Sequence, residues 1–234
     1  ELGSAMATIE RDGAPWLTID CGGEGLTACH AAYGDMPRAL FMTHAHMDHV
    51  AGFERLFVSS YFDEHRRGEV RLYVPVALLP LLHQRVASYP NALAEGGANF
   101  WDAFRVIPVG DHFWHDGLRL EVFPVRHHWP DTAFGLRLRG SLVWTGDTRP
   151  IPEMLAKFAD AGELIAHDCA LEGNPSHSGI EDLEREYPRA LLARCLLYHY
   201  ASAEDGAALR LRGYRVGMQG EVLALREPAA AGVG

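Results

Sequence analysis

The sequence predicts a mixed α/β protein, two sheets packed face to face and covered by helices. Short strand-like apolar runs, bounded by turn residues, recur along the chain and crowd together in its middle. Helical stretches come at intervals on either side of them. The 234 residues are 48% hydrophobic and 22% charged, ordinary globular composition, and are read as one domain over 1–234. Layered sheets under helices are how such a mixture buries its apolar faces.

The opening ELGSAMA (1–7) reads as a cloning remnant and residues 228–234 as a frayed tail. WLTID (16–20), ALFMT (39–43) and VRLYVP (70–75) are expected strands. VALLPLLHQRVA (76–87) reads as helix, with Phe57, Leu78, Leu81 and Leu82 in the core. In NALAEGGANFWDAF (91–104), the Gly pair and Phe100, Trp101 and Phe104 suit a packed helix with a turn; a substrate lid or dimer surface is the alternative. FRVIPV (104–109), LRLEVFPV (118–125), FGLRLRG (134–140) and SLVWTGD (141–147) are further strands. IPEMLAKFADAG (151–162) is a helix ending at a Gly cap. GIEDLEREYP (179–188) is a helix stopped by Pro188, which lacks a backbone donor. LARCLLYH (192–199) is a strand, and GYRVGMQGEVLAL (213–225) reads as two short strands around a Gly turn.

Composition narrows the function. The net charge of −10 repels long polyanions and weighs against nucleic acid as a partner. The Arg pairs Arg66-Arg67 and Arg210-Arg212 read as solvated faces. No apolar run reaches the roughly 20 residues of a membrane span, so no membrane partner is expected. The start lacks a charged-then-apolar leader pattern. Cys21, Cys29, Cys169 and Cys195 form no CxxC pair. Buried thiols in a reducing cytoplasm are therefore expected.

THAHMDHVAG (43–52) carries the chemistry: His44, His46, Asp48 and His49 fall within six positions, directly after an apolar run. One His in such a place is usually a surface or core residue. Four ligand types together are a donor set for divalent ions. His44 and His46, two apart past a strand end, can face one ion. Asp48 and His49, on the next bend, can face a second ion about 3.5–4 Å away, as in two-metal sites. The set still needs a third ligand for the first metal, a bridging carboxylate and another His. His127-His128, Asp147 and His199 each lie where an expected strand runs out.

The order HxHxDH, a His, Gly-Asp, then a late His resembles the metallo-β-lactamase superfamily over essentially the whole chain. The resemblance implies an αββα sandwich with two divalent ions at one edge, zinc by default and manganese as the alternative. Their ligands would be His44, His46, Asp48, His49, His127, Asp147 and His199, with Asp147 bridging. Asp20 in WLTIDCGG would support the ligand loop without binding metal. Counting from Pro124 favours His127 as the third ligand and counting back from Phe134 favours His128. His127 is taken as the ligand and His128 as a substrate contact.

FPVRHHWPDTAFGLRLRGSLVWTGDTRP (123–150) is similar to the phosphodiesterase branch. That branch contains the tRNA 3′-processing endonucleases and the cyclic phosphodiesterase of phosphonate breakdown. IAHDCALEGNPSHSG (165–179) matches the stretch in which an acidic residue orients a proton-donating His. The resemblance thus implies catalytic roles for Asp168 and His177, with Asp48, and a substrate contact by His177. Asp168 is one methylene shorter than the Glu usual there. The basic, Gly-rich arm with which many such endonucleases grip tRNA has no counterpart between His128 and Asp147.

The implied function is a dinuclear metal-dependent hydrolase in which a hydroxide shared by the two ions attacks a small or cyclic phosphodiester. Other readings are a lactonase or thioesterase, a tRNA 3′-endonuclease-like activity and a non-catalytic metal-binding scaffold. HHWPDTAFG does not match the His-Thr-Pro-Gly-His-like motif of the thioesterases, and a scaffold has no need of all seven ligand positions. Relatives in this branch are often homodimers, so a homodimer is implied by analogy.

Overall fold

The computed structural model describes residues 6–88, 94 and 96–229. The chain divides into two compact units, one ending at Val109 and the other beginning at Gly110, and each is built on one sheet.

The N-terminal unit contains β1 (Ala7–Arg11), β2 (Ala14–Ile19), β3 (Ala39–Phe41), β4 (Val70–Pro75) and β5 (Phe104–Val109), in that order across the sheet. β1 and β2 are antiparallel and joined at Asp12-Gly13, both at positive φ, as a two-residue hairpin turn requires. The remaining pairs are parallel. Parallel neighbours need crossovers, supplied by α1 (Gly23–Tyr33), by α2 (Met47–Val50) with α3 (Phe53–Tyr61), and by the segment containing α4 (Leu79–Leu82). In α3 the buried Phe53, Leu56, Phe57 and Ser60 recur at three- and four-residue spacing, one helical face. Phe53 and Phe57 each lie 5.8 Å, ring to ring, from Phe100, and Phe53 meets Phe104 at the same distance. Phe100 and Phe104 are therefore core residues, not a lid. Residues 89–93 and 95 of that segment lie outside the described residues.

The expected helix over 76–87 is three successive turns: a 3₁₀ turn Val76–Leu78, then α4, then a π turn His83–Ala87. Pro80 has no N–H to give and interrupts the regular ladder. Leu78 and Leu82 are buried as expected; Leu81 is half-buried. Ala7, set aside with the opening residues, is the first residue of β1 and pairs with Ile19. Arg66 is buried instead of solvated. Its two terminal nitrogens bind Asp35 Oδ1 at 2.8 Å and the carbonyl oxygens of Met36 and Pro37, and an ion pair with added hydrogen bonds is what lets an Arg leave water.

The C-terminal unit contains β6 (His112–His115), β7 (Leu118–Pro124), β8 (Phe134–Leu138), β9 (Leu142–Trp144), β10 (Leu164–Asp168), β11 (Cys195–Tyr198) and β12 (Arg215–Val216). Their order is β12-β11-β10-β9-β8-β7-β6. β6 to β9 are antiparallel to their neighbours, and β9 to β12 run parallel. Because β7 and β9 both oppose β8, the strands β7, β9, β10 and β11 all point the same way, and their carboxyl ends share one edge. Helices α5 (Pro152–Phe158), α6 (Ile180–Glu186), α7 (Arg189–Leu192) and α8 (Ala203–Leu211) supply Leu155, Leu183, Leu192 and Leu209 to a core with Phe123, Val143, Ile165 and Leu197.

This sheet is also held by a buried charge network. Arg137 on β8 donates to Glu163 Oε1 at 2.9 Å through Nε and at 2.6 Å through Nη2, to Glu121 Oε2 on β7 at 3.0 Å, and to Asp160. Glu163 also accepts from the backbone N–H groups of Gly140 and Ala161, each at 3.0 Å. This network explains one departure. α5 stops at Phe158, short of the expected Gly162 cap, because the chain turns to present Asp160 and Glu163 to Arg137 and the N–H of Ala161 to Glu163. Another departure is at 221–225, where no second strand forms beside β12. Val222 is 77% exposed there and gains nothing from pairing. Of the expected tail, Ala229 N donates to Arg139 O at 2.8 Å; residues 230–234 lie outside the described residues.

Candidate metal centre

In the N-terminal unit the ligand-type residues follow the carboxyl ends of β2 and β3, the end of parallel strands where α/β proteins place their sites. Asp20 leaves β2 with φ +64, a left-handed conformation uncommon for a residue with a Cβ. It accepts from Thr43 N at 2.8 Å through Oδ1, and from Thr43 Oγ1 at 2.7 Å and His49 Nδ1 at 2.8 Å through Oδ2. Burial raises the Asp20 pKa, and the contacts with His49 and Thr43 oppose that rise. Thr43 Oγ1, donating to Asp20, accepts from His44 Nδ1 at 3.0 Å. Both His44 and His49 therefore carry their proton on Nδ1, leaving Nε2 as a lone-pair donor. A carboxylate or hydroxyl behind the imidazole is how ligating histidines are oriented. The His44 ring lies 4.7 Å from that of His46 and 4.0 Å from that of His49. His46 is half-buried and Asp48, in the first turn of α2, is exposed.

In the C-terminal unit, His127 follows β7, Asp147 follows β9, Asp168 ends β10 and His199 follows β11. All four therefore lie along the shared edge. Gly146, at φ +64, turns the chain into Asp147, and His199 itself adopts φ +66. His127 is buried and donates from Nδ1 to Ser176 O at 2.9 Å. Its Nε2 is 3.9 Å from Asp147 Oδ2, and His199 Nε2 is 3.2 Å from the same oxygen. Burial pushes the His127 pKa down to about 4, so the ring is neutral at pH 7 and offers a lone pair. Ligand atoms of His127, Asp147 and His177 lie within 4.8 Å of one another, as do those of Asp168, His177 and His199. Imidazoles around carboxylates are a donor set that divalent ions bind.

Asp168 reaches His177 despite its short side chain, with Oδ2 at 2.8 Å from Nδ1. The same oxygen accepts from Thr148 N at 2.8 Å. The bond to Asp168 raises the His177 pKa above the ordinary histidine value, against a smaller opposing effect of burial. Burial raises the Asp168 pKa, and the hydrogen bond to His177 opposes it. Of the two adjacent histidines, His127 joins Asp147 and His177, whereas His128 is exposed with its ring 4.3 Å from His127. Cys169, beside Asp168, is fully buried, with burial holding its thiol protonated.

Sequence reasoning missed a supporting line behind Asp168. His167 donates from Nδ1 to Asp168 O at 2.7 Å and accepts at Nε2 from Tyr187 Oη, also at 2.7 Å; that hydroxyl in turn accepts from Ile151 N. Thr43 and Thr148 were also missed. Their signal was position alone, each a Thr one residue from an expected ligand.

Residues 6–222 match the family described as "Anti-Pycsar protein Apyc1". An Anti-Pycsar protein Apyc1 from Saccharibacillus brassicae is 31% identical over 210 residues, 85% of this chain and 84% of the relative. A ribonuclease Z from Mycobacterium sp. (strain KMS) is 26% identical over 220 residues, 83% of this chain and 77% of the relative. The crystal structure of the metallo-β-lactamase fold protein YhfI from Bacillus subtilis superposes with a TM-score of 0.70 at 13% identity, over 96% of this chain and 92% of that one. The chain therefore has the metallo-β-lactamase fold, with its mixed α/β elements and two sheets.

Proposed function

Because the chain belongs to the Anti-Pycsar protein Apyc1 family, we propose that it is a metal-dependent phosphodiesterase acting on a small or cyclic phosphodiester, cyclic nucleotides included. The observation that carries this reading is the His177–Asp168 pair, held at 2.8 Å beside the cluster of His127, Asp147 and His199. Cleaving a P–O bond to an alkoxide leaving group needs the departing oxygen protonated, and an imidazole held by a carboxylate is suited to do that.

His44, His46, Asp48 and His49 of the N-terminal unit and His127, Asp147 and His199 of the C-terminal unit would hold the divalent ions. Zinc is favoured by the many imidazoles, and manganese is the alternative. Bound ions would supply an acidified water and neutralise charge on the phosphate. The protein's own groups do the rest. Asp20 and Thr43 fix the protons of His49 and His44 on Nδ1. Ser176 O does the same for His127. Asp168 accepts the Nδ1 proton of His177, turning the ring so that Nε2 carries the proton given to the leaving group. Asp48, exposed in α2, belongs to the catalytic set as a ligand, and His128 is kept as a substrate contact.

The ribonuclease Z relative brings RNA into the substrate class, but the net charge of −10 weighs against a long strand. Carbonyl hydrolysis, the other reading, leaves the His177–Asp168 pair without an evident task. The setting we favour is a cytoplasmic homodimer. The four buried free thiols suit a reducing compartment, and no helix among the described residues is long and apolar enough to cross a membrane.

Chelation tests the metal requirement. Dialysis against a chelator should abolish hydrolysis of bis(p-nitrophenyl) phosphate, and zinc or manganese should restore it, with two ions bound per chain by elemental analysis. Turnover that survives full metal removal would contradict the proposal.

A further inference from the structure

We propose that the C-terminal unit carries an anion site separate from the metal-type cluster, a cleft that binds a small phosphate monoester through Arg126, Arg149 and Arg185. The cleft has a volume of about 420 Å³, within the range of small-molecule sites. The stretches after β7 and β9 bring Arg126 and Arg149 to its wall, the loop after β10 brings Asn174, and α6 brings Arg185. None of the seven expected metal ligands lines it, and neither does Asp168 or His177.

Charge selects the ligand. The walls carry three guanidiniums against two carboxylates, Asp182 and Glu186, in a chain of net charge −10. Both carboxylates are engaged. Asp182 accepts from Gly179 N at 3.0 Å and from Arg185 Nη2 at 2.7 Å, and Glu186 accepts from Arg185 Nε at 3.2 Å. Arg126 pairs with Glu153 at 3.0 Å and donates to Pro150 O at 3.0 Å, which steadies its guanidinium. Arg149 is exposed, and its side chain makes no hydrogen bond or ion pair among the described residues. Exposed ion pairs are held weakly, so Arg126 and Arg185 can turn a donor to a ligand at little cost. A phosphate dianion uses more than one guanidinium, and its oxygens match the guanidinium fork.

The cleft shares its walls with the candidate centre. Asn174 Oδ1 accepts from Ser176 N at 2.8 Å and from His177 N at 3.0 Å. A residue of the cleft thus holds the turn that presents Ser176 O to His127 and His177 to Asp168. On the other wall, Arg149 N donates to Arg126 O at 2.8 Å, and Arg126 N donates to Thr148 Oγ1 at 3.0 Å. Thr148 N in turn donates to Asp168. A ligand seated between these walls braces the segments that carry His127, Asp168 and His177. Cleavage of a phosphodiester releases a phosphate monoester, so on the phosphodiesterase reading the ligand class includes the product; the site itself is argued without that reading.

The test is calorimetric titration of metal-loaded protein with glycerol 3-phosphate. Bound metals also attract phosphate, so Asp147→Ala is titrated in parallel. Wild type should bind two molecules per chain, and Arg149→Ala should keep only the one at the metals. Asp147→Ala should keep the cleft site. Adding Arg149→Ala to it should weaken that site at least about tenfold, the usual effect of removing a hydrogen bond to a charged group. Arg149→Lys, which keeps the charge without the fork, should fall between the two. Acetate, with a single charge, should bind Asp147→Ala at least about tenfold more weakly than glycerol 3-phosphate does. Arg212→Ala, an exposed Arg at the end of α8 and outside the cleft, should leave binding unchanged. Binding that ignores Arg149→Ala, an equal loss in Arg212→Ala, or acetate bound as tightly as glycerol 3-phosphate overturns the proposal. Because the readout is binding, a failure of phosphodiester turnover would strike the phosphodiesterase reading and leave this site standing.

Discussion

His177→Ala is expected to slow phosphodiesters with alkoxide leaving groups by about 10²–10⁴-fold in kcat, the usual contribution of a positioned general acid. Bis(p-nitrophenyl) phosphate should lose only a few-fold, because p-nitrophenolate leaves without a proton. The contrast comes from the geometry: Asp168 Oδ2 holds His177 Nδ1 at 2.8 Å and raises its pKa, so the ring stays protonated further into the working pH range. Asp168→Asn should show the same leaving-group pattern with a smaller loss, since the amide can still meet Nδ1 but no longer supports the imidazolium. Single-turnover rates on the two substrate types decide the matter. An equal loss on both would remove His177 from the acid role and leave it a binding residue.

Arg137→Ala should produce the largest loss of stability outside the candidate site, about 3–5 kcal/mol, the usual cost of stranding a buried partner charge. Glu163 is fully buried and keeps only backbone donors and the part-exposed Arg194 once Arg137 is gone. At about 2–4 °C per kcal/mol for a chain of this size, the midpoint should fall by roughly 6–20 °C. Pairing Arg137→Met with Glu163→Gln should recover much of the loss, because two neutral groups no longer strand a charge. The network also predicts an acid limb. Burial works to raise the Glu163 pKa, but the N–H of Gly140 and Arg137 overcome it and hold the group below its ordinary 4.5. Its folded value is thus depressed. The stability it contributes is fully present above that ordinary value and is lost as pH falls through the folded one. Thermal melts of wild type and Glu163→Gln between pH 3 and 7 should therefore converge at the acid end. Parallel curves across the range would contradict the assignment.

The parts of this protein that are legible in its sequence are those where one local pattern decides the outcome. β4 and β5 coincide end to end with VRLYVP and FRVIPV because each is an apolar run bounded by turn residues. The metal-type cluster at 44–49 is legible because its members are adjacent in the chain. α1 was not, since GEGLTACHAAY opens with two glycines and buries only Leu26 and Cys29. β10 was hidden because LIAHD reads first as a motif. The end of α5 lies beyond local reading, as a tertiary contact through Arg137 overrides the Gly162 cap. The choice between His127 and His128 is of the same kind. Counting along the chain supports either, whereas only in three dimensions does His127 differ, being buried and bonded to the carbonyl of Ser176. The left-handed backbone at Asp20 and His199 leaves no mark in composition at all.

The most direct test of the central claim is hydrolysis of bis(p-nitrophenyl) phosphate by the metal-loaded protein, measured beside an aryl thioester and a lactone, in wild type and Asp147→Ala. The account predicts phosphodiester turnover in wild type that disappears in the variant, because Asp147 Oδ2 lies beside Nε2 of both His127 and His199, at 3.9 and 3.2 Å. Thioester or lactone cleavage without phosphodiester turnover would contradict it.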